Sequence, residues 1–264
     1  MGIMAEAGAS WAFVERNFTL VRRYIGWEAV FVTYSIVNSL TIAFIGVTQG
    51  KEKVMYLVVG AMIWGFLSLL FHEISESIAW ERWEGTIEYT FMAPIHRFTH
   101  LGGNCVFAII YGTLRSFLLL FCVAIFFRLS LQGANLVTAL IILMVSGLSF
   151  VGLGLVAAVL PLLSTEKGAQ ATHIFEAVLL LISGVYYEVD VLPAWIRPLS
   201  AVSPATYTLR AIRRALLEGA SITELWPTVA LILGLGIVLI PGGLVIFRAA
   251  EGHAKRTGKL KRSG

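Results

Sequence analysis

The sequence predicts an all-α protein that crosses a membrane several times. Hydrophobic residues make up 58% of the chain and charged residues only 14%, whereas about 25% of a typical soluble domain is charged. The apolar residues form long continuous runs, and a helix of about 20 such residues spans the roughly 30 Å core of a bilayer. Six runs fit this pattern, so we predict six transmembrane helices in a single permease domain over residues 1–264.

An amphipathic helix is predicted before the spans. Trp11, Val14, Phe18, Val21 and Ile25 recur every three or four residues, which places them on one face of a helix. We therefore predict a helix over residues 10–25 that lies in the membrane interface rather than crossing it. Its polar side carries Glu15, Arg16, Arg22 and Arg23.

The predicted spans then follow in order, and the fifth is the shortest: 28–48, 54–74, 101–127, 134–163, 171–187 and 226–247. Residues 188–224 are also apolar but contain three prolines. Lysine and arginine are more frequent in the segments that lie inside when both termini are cytoplasmic, so we predict that orientation. The basic tail, residues 248–264, is expected at anionic inner-leaflet lipid. We expect no cleavable signal peptide, because residues 1–9 lack a basic segment followed by an apolar one.

The polar segment between the second and third spans has a second amphipathic pattern. Its aromatic stripe is formed by Trp80, Trp83, Ile87 and Phe91, and its acidic stripe by Glu81, Glu84 and Glu88. We predict a helix over 76–94 that ends at Pro94. Two interpretations remain open: an ordinary interfacial helix, or a helix that presents carboxylates to a basic partner protein. Anionic lipid would repel the acidic stripe, which favours a partner.

Two motifs resemble a known family. The first is Glu84-Gly85-Thr86-Ile87-Glu88 with Ala93-Pro94 and Arg97; the second comprises residues 183–187, 192–195, 203–207 and Arg213. Together they are similar to the motifs of bacterial ABC transporter permeases of the second exporter class, a family that includes antibiotic, polysaccharide and lipo-oligosaccharide exporters. The six spans and the N-terminal helix also fit this family. Glu188 departs from it, since many relatives carry proline there.

The resemblance implies a membrane subunit that works as a dimer, expected here to be a homodimer, with two copies of a separate ABC ATPase. It implies that residues 188–224 fold back as two short re-entrant helices on the outer side. The helix over 76–94 then matches the coupling helix, with ATPase-coupling candidates Trp80, Glu81, Trp83, Glu84, Gly85, Thr86, Glu88, Pro94 and Arg97. The N-terminal helix matches the interface helix, with candidates Trp11, Glu15, Phe18 and Arg22.

The chain lacks a phosphate-binding loop of the form G-x-x-x-x-G-K-[S/T]. We therefore expect no enzyme activity and no cofactor in this chain, with ATP and magnesium bound by the partner. The predicted function is export of a drug, lipid or glycoconjugate across the inner or plasma membrane, with lipid and no nucleic acid among the partners. The alternatives are a proton-coupled secondary transporter and a membrane scaffold or lipid enzyme; the chain shows no catalytic constellation for the last.

Charged and aromatic residues at membrane depth or on the outer side are candidates for the substrate path. Arg115 lies in the middle of the third span, where a charge is expensive unless it faces a cavity, a partner or, by snorkelling, an interface. A structural hydrogen-bonding role is the alternative for this residue. The outer-gate candidates are Tyr186, Tyr187, Arg210, Arg213 and Arg214, with lipid-phosphate anchoring as the alternative for the arginines. No spacing of the histidines indicates a metal site.

Overall fold

The computed structural model describes residues 3–85, 89, 92, 97–164 and 168–257. All regular secondary structure within these ranges is helical, which confirms the predicted all-α class. The ten α-helices described, with a short 3-10 turn at Val189–Val191, are α1 Ile3–Arg23, α2 Ile25–Val47, α3 Lys51–Glu84, α4 Arg97–Phe127, α5 Leu136–Ala157, α6 Val159–Leu163, α7 Gly168–Ser183, α8 Arg197–Val202, α9 Pro204–Leu217 and α10 Ile222–Arg256.

Five stretches of helix in the described residues are long and apolar enough to cross a membrane: Ile25–Val47, Lys51–Ala79, Thr99–Phe127, Leu136–Leu163 and Ile222–Arg256. They coincide with five of the six predicted spans. The other predicted span, 171–187, overlaps α7, which has only 16 residues. At about 1.5 Å per residue α7 is roughly 24 Å long, which is less than the hydrocarbon thickness of a bilayer.

Helix α3 differs from the prediction because it continues without a break to Glu84. We predicted a boundary near residue 76 and a separate helix ending at Pro94. Residues 75–84 contain neither glycine nor proline, so no residue interrupts the hydrogen-bond ladder. Gly85 then ends α3 in the left-handed conformation with φ 76°, which glycine adopts without steric cost.

Two other helices are longer than predicted. Helix α1 begins at Ile3 rather than at residue 10, and α10 continues to Arg256 rather than ending at residue 247. The start of α10 is well defined, because Ser221 and Glu224 form a capping box at its N-terminus. The remainder of the predicted basic tail, residues 258–264, lies outside the described residues.

Helix α3 lies at the centre of the bundle and packs against α2, α4 and α5. Its fully buried side chains include Phe66, Leu70, Phe71 and Ile74. Helices α2 and α10 are more peripheral, and many of their large apolar side chains are exposed. These exposed faces are suited to lipid or to another membrane helix, since neither requires a polar surface.

Helices α5 and α10 approach each other closely through small residues. A Cβ atom added to Gly243 would lie 2.7 Å from the Gly152 carbonyl oxygen. Elsewhere along the same two helices, the Ser149 hydroxyl donates a hydrogen bond of 2.6 Å to the Ile232 carbonyl oxygen. Small residues and hydroxyl hydrogen bonds are the usual means by which membrane helices pack at short range.

Candidate functional site

A polar cavity of about 680 Å³ lies between α2, α3 and α4. It extends along α2 from Glu28 to Ser39 and along α3 from Ala61 to Glu76. This volume is within the range of about 300–1,000 Å³ that is typical of sites for drug-sized molecules. All three helices are long and apolar enough to cross a membrane, and the acidic lining residues Glu28, Glu73 and Glu76 lie near one end of them.

Carboxylates dominate the charge of this cavity. Glu28 of α2 and both Glu73 and Glu76 of α3 line it, against a single guanidinium, that of Arg115 on α4. The Tyr111 hydroxyl donates a hydrogen bond to the Glu28 carboxylate. Three carboxyl groups therefore outnumber the one guanidinium among the described residues of the lining.

Arg115 is held by helix α2. Its Nη2 atom donates hydrogen bonds to the Ser35 hydroxyl at 2.8 Å and to the Phe31 carbonyl oxygen at 3.0 Å. These contacts satisfy part of the hydrogen-bonding capacity of a charge placed at membrane depth. Among the predicted path residues, Tyr186 lines the same cavity as Arg115.

Most of the predicted outer-gate residues have other surroundings. Arg213 donates to the Gly184 and Val185 carbonyl oxygens, at 3.2 and 2.6 Å, and its guanidinium carbon lies 3.5 Å from the centre of the Tyr56 ring. Burial lowers the pKa of Arg213 to about 10. Arg213, which is part of α9, therefore holds the turn after α7 close to α3. Of the other outer-gate candidates, Arg210 is exposed. Arg214 pairs with Glu218 at 3.4 Å, and the Tyr187 hydroxyl donates to the Leu181 carbonyl oxygen.

The last turn of α3 contacts the start of α4 through Glu81, and that contact extends to α1 through His100. Its Oε1 atom lies 3.0 Å from Nε2 of His100, at the start of α4, and the His100 ring packs edge-on against Phe13 of α1 with centroids 4.9 Å apart. His100 is only 1% exposed. The predicted acidic stripe is therefore divided, since Glu81 faces the bundle whereas Glu84 is exposed.

Helix α1 is attached to α4 along its length. Asn17 Nδ2 donates to Asn104 Oδ1 at 3.0 Å, and Phe18 packs edge-on against Phe107 with centroids 5.0 Å apart. A Cβ atom on Gly103 would lie only 2.5 Å from the Ser10 carbonyl oxygen. Of the predicted interface residues, Phe18 is thus half-buried within the chain, while Trp11, Glu15 and Arg22 are exposed.

Arg82 is a buried anchor that sequence reasoning missed. Its Nη1 atom donates to the Pro161 and Leu162 carbonyl oxygens, at 3.1 and 2.7 Å, in the last turn of α6. The side chain is 1% exposed, and burial lowers its pKa. A cation at the carboxyl end of a helix is favoured by the helix dipole. The signal in the sequence was a lone arginine between the carboxylates of residues 81 and 84.

Several predicted coupling residues lie outside the described parts of the structure. Thr86, Glu88 and Pro94 are in this group, as are the side chains of Trp80, Trp83 and Arg97. The described coupling candidates are thus Glu81, Glu84 and Gly85, which form the final turn and C-cap of α3.

Comparisons with known proteins agree with this architecture. A sequence model described as "ABC-2 type transporter" matches residues 9–217. The chain is also 26% identical over 153 residues to the protein named "Probable multidrug ABC transporter permease YbhR" in Escherichia coli strain K12, and equally to that of strain O157:H7. The alignment covers 58% of this chain and 41% of each relative. Since the family match covers most of the chain, the protein is a multi-pass membrane protein that belongs to the ABC-2 type transporter family.

Proposed function

We propose that the chain is the membrane subunit of an ATP-driven ABC exporter, with the cavity between α2, α3 and α4 as part of the substrate path. The observation that carries this proposal is a cavity of drug-ligand size between three membrane-length helices in a member of the ABC-2 family. ATP and magnesium bind to two separate ATPase subunits. ATP binding there drives transport only if it favours one conformation of the membrane subunit over another.

A second copy of the chain completes the path. On α2, the cavity-lining residues Tyr34 and Asn38 are exposed, and polar groups at membrane depth are costly when they face lipid. A homodimer in which two copies of α2 face a common centre covers these groups. The exposed apolar side chains elsewhere on α2 then contact the partner helix or lipid.

In the proposed topology the protein lies in the inner or plasma membrane, and both of its termini are in the cytoplasm. The chain from α7 to Tyr187 crosses as the fifth of six spans, since residues 168–187 together approach the length that a bilayer requires. The short helices α8 and α9 form the re-entrant segment on the outer side. In this arrangement the end of α3 at Gly85 faces the ATPase, and so does α1, which packs against α4.

The exposed carboxylate of Glu84 is proposed to contact the ATPase. Glu84 occupies the last residue of α3, where the helix dipole disfavours a negative charge by about 0.3–1 kcal/mol. Helix stability therefore does not account for an acidic residue at this position. A basic surface on the ATPase does, because it pairs with the carboxylate.

Replacing Glu84 with lysine is expected to uncouple ATP hydrolysis from transport. Dye uptake by inside-out vesicles that contain the complex is expected to fall by about tenfold, which corresponds to the loss of about 1.4 kcal/mol of coupling contact. The folded chain should retain its stability, because lysine suits the carboxyl end of α3 better than glutamate. The measurement is ATP-dependent dye uptake alongside the melting temperature of each variant.

The matched control is Glu52→Lys, an exposed glutamate in the first turn of the same helix. Its uptake is expected to remain within about twofold of the unmodified protein, since it lies far from the proposed ATPase contact. Normal ATP-dependent uptake by Glu84→Lys would contradict the coupling role of this residue.

The charge of the cavity supports a cationic amphipathic drug as cargo. The carboxyl groups of the lining outnumber its single guanidinium, and aromatic residues such as Tyr34, Trp64 and Tyr111 offer ring faces to a cation. The name of the Escherichia coli relatives also refers to multidrug transport. Lipids and glycoconjugates lack this charge complementarity unless they carry a cationic group, although the outer arginines of the sequence favoured an anionic or lipid-linked cargo.

Glu73→Gln is expected to weaken binding of a lipophilic cationic dye by about tenfold, because it removes one carboxylate from the cavity while preserving side-chain shape. The measurement is the dye concentration that gives half-maximal stimulation of ATPase activity in the reconstituted complex. An uncharged analogue of the dye should be unaffected by the substitution. Glu218→Gln, at an exposed site beyond the cavity, is the control, and equal loss in both variants would argue against the charge mechanism.

Proton-coupled secondary transport is the second candidate, because Glu28 and Glu73 are ionisable groups at membrane depth in a shared cavity. The same vesicles distinguish the two mechanisms. Uptake that requires ATP and the ATPase supports the exporter, whereas uptake by the permease alone under an imposed proton gradient supports the alternative.

A further inference from the structure

Two histidines and one glutamate that are far apart in the sequence meet where α3 packs against α7. His72 of α3 and both His173 and Glu176 of α7 each offer a ligand atom, and these atoms lie within 4.8 Å of one another. His173 and Glu176 are three residues apart, so they lie on the same face of α7. We propose that these three side chains form a site for a divalent transition-metal ion of the zinc class.

The hydrogen bond of His72 fixes which ring nitrogen keeps a lone pair for a metal. Its Nδ1 atom lies 2.8 Å from the Ser68 carbonyl oxygen, so Nδ1 carries the proton and Nε2 is the free acceptor. Histidines that bind metals usually donate their other ring N–H to a carbonyl or carboxylate in this way, which fixes the tautomer and the ring orientation.

Glu176 is a carboxylate with unmet binding capacity. The residue is 5% exposed, and its Oε1 atom is buried without a hydrogen-bond partner among the described residues. Its other oxygen lies 3.5 Å from Nδ1 of His173. Burial of a carboxylate oxygen without a partner costs free energy, and a bound cation would remove that cost.

The chemistry of the three ligands matches zinc. Two imidazole nitrogens and a carboxylate oxygen form a common three-residue zinc set, with a fourth position for water. Ligand atoms around a tetrahedral zinc lie roughly 3.3 Å apart, given zinc–ligand distances of about 2.0–2.2 Å. Side-chain rotations that shorten the present separations by about 1.5 Å therefore complete the site.

The surroundings make such a site accessible and firmly supported. His173 is 59% exposed, so an ion can enter from that side. The backbones of α3 and α7 are already held together beside the site, because Ser75 and Thr172 are hydrogen-bonded at 3.2 Å and Phe71 packs on Phe175. The bound ion would fasten the short helix α7 to the central helix α3. This inference is independent of the proposed transport function.

The test uses the full chain, purified in detergent and stripped of metal, with Co²⁺ as the spectroscopic probe. One Co²⁺ per chain is expected to bind with the intense visible absorption of a tetrahedral site, and Zn²⁺ should displace it. His173→Ala and Glu176→Gln are each expected to weaken Co²⁺ binding by at least about tenfold. His173 is largely exposed, so its replacement leaves the fold intact.

The matched control is His253→Ala, which alters an exposed histidine in the last turn of α10. Its Co²⁺ affinity should equal that of the unmodified chain. Zn²⁺ should also raise the melting temperature of the unmodified chain and of His253→Ala but not of His173→Ala, because only an intact site stabilises the folded state by binding. Absence of Co²⁺ binding, or equal affinity in all variants, would overturn the proposal.

Discussion

Arg82→Ala is expected to lower the free energy of unfolding by about 3 kcal/mol. Two charge-assisted hydrogen bonds join this side chain to the end of α6, and hydrogen bonds to charged groups contribute about 1.5–3 kcal/mol each. The substitution also leaves a void, since Arg82 is among the largest fully buried side chains. Removal of the positive charge has little effect on the solvated surface of the protein, because the guanidinium does not face water.

The measurement is the melting temperature of the detergent-solubilised protein, which should fall by roughly 6–12 °C for a destabilisation of this size. Arg82→Lys is expected to be intermediate, because lysine retains a charged donor but not the shape of the guanidinium. Arg256→Ala, at the exposed end of α10, is the control and should melt within a degree or two of the unmodified chain. If Arg82→Ala and this control melt at the same temperature, the contacts of Arg82 contribute nothing to the stability of the folded protein.

Gly243→Ala is expected to destabilise the pair of helices α5 and α10 by about 1–3 kcal/mol through overpacking. Its Cβ atom would lie 2.7 Å from the Gly152 carbonyl oxygen and 2.9 Å from Leu155 Cβ. Because the first of these contacts is with backbone, side-chain rotation cannot relieve it. The two helices must move apart, which also strains the hydrogen bond between Ser149 and Ile232.

The adjacent Gly242 provides an internal control for this prediction. A Cβ atom at Gly242 meets nothing within 4 Å, so Gly242→Ala keeps the gain in helix propensity of about 1 kcal/mol without the clash. Gly242→Ala should melt at or above the temperature of the unmodified chain, and Gly243→Ala clearly below it. If both variants melt alike, close packing at Gly243 is not a source of stability.

The membrane helices were predictable because their signal is compositional. Each of the five long apolar helices coincides with an apolar run that any bilayer-spanning segment must contain. Their ends were less predictable, because α3 and α10 continue beyond their apolar runs into polar sequence. In α3 this polar sequence contains neither glycine nor proline, whereas α10 continues through Gly252. The short helix α7 illustrates the opposite problem, since an apolar run of suitable length need not be helical throughout.

The candidate site was only partly predictable, because its chemistry depends on how the helices are rotated against each other. The sequence identified Arg115 as a charge at membrane depth, but not that Ser35 of α2 receives it. It grouped Glu81 with Glu84, whereas packing turns Glu81 towards His100. His72 and His173 are about a hundred positions apart, so no local spacing could reveal that they meet.

The unbroken length of α3 has a mechanical consequence. Its 34 residues make a rod roughly 51 Å long at about 1.5 Å per residue, without an internal proline to act as a joint. A stiff rod of this kind transmits a push at its Gly85 end as a tilt along its whole length. A displacement of α3 near Glu84 must therefore be accompanied by a displacement at its opposite end, where Tyr56 packs against Arg213.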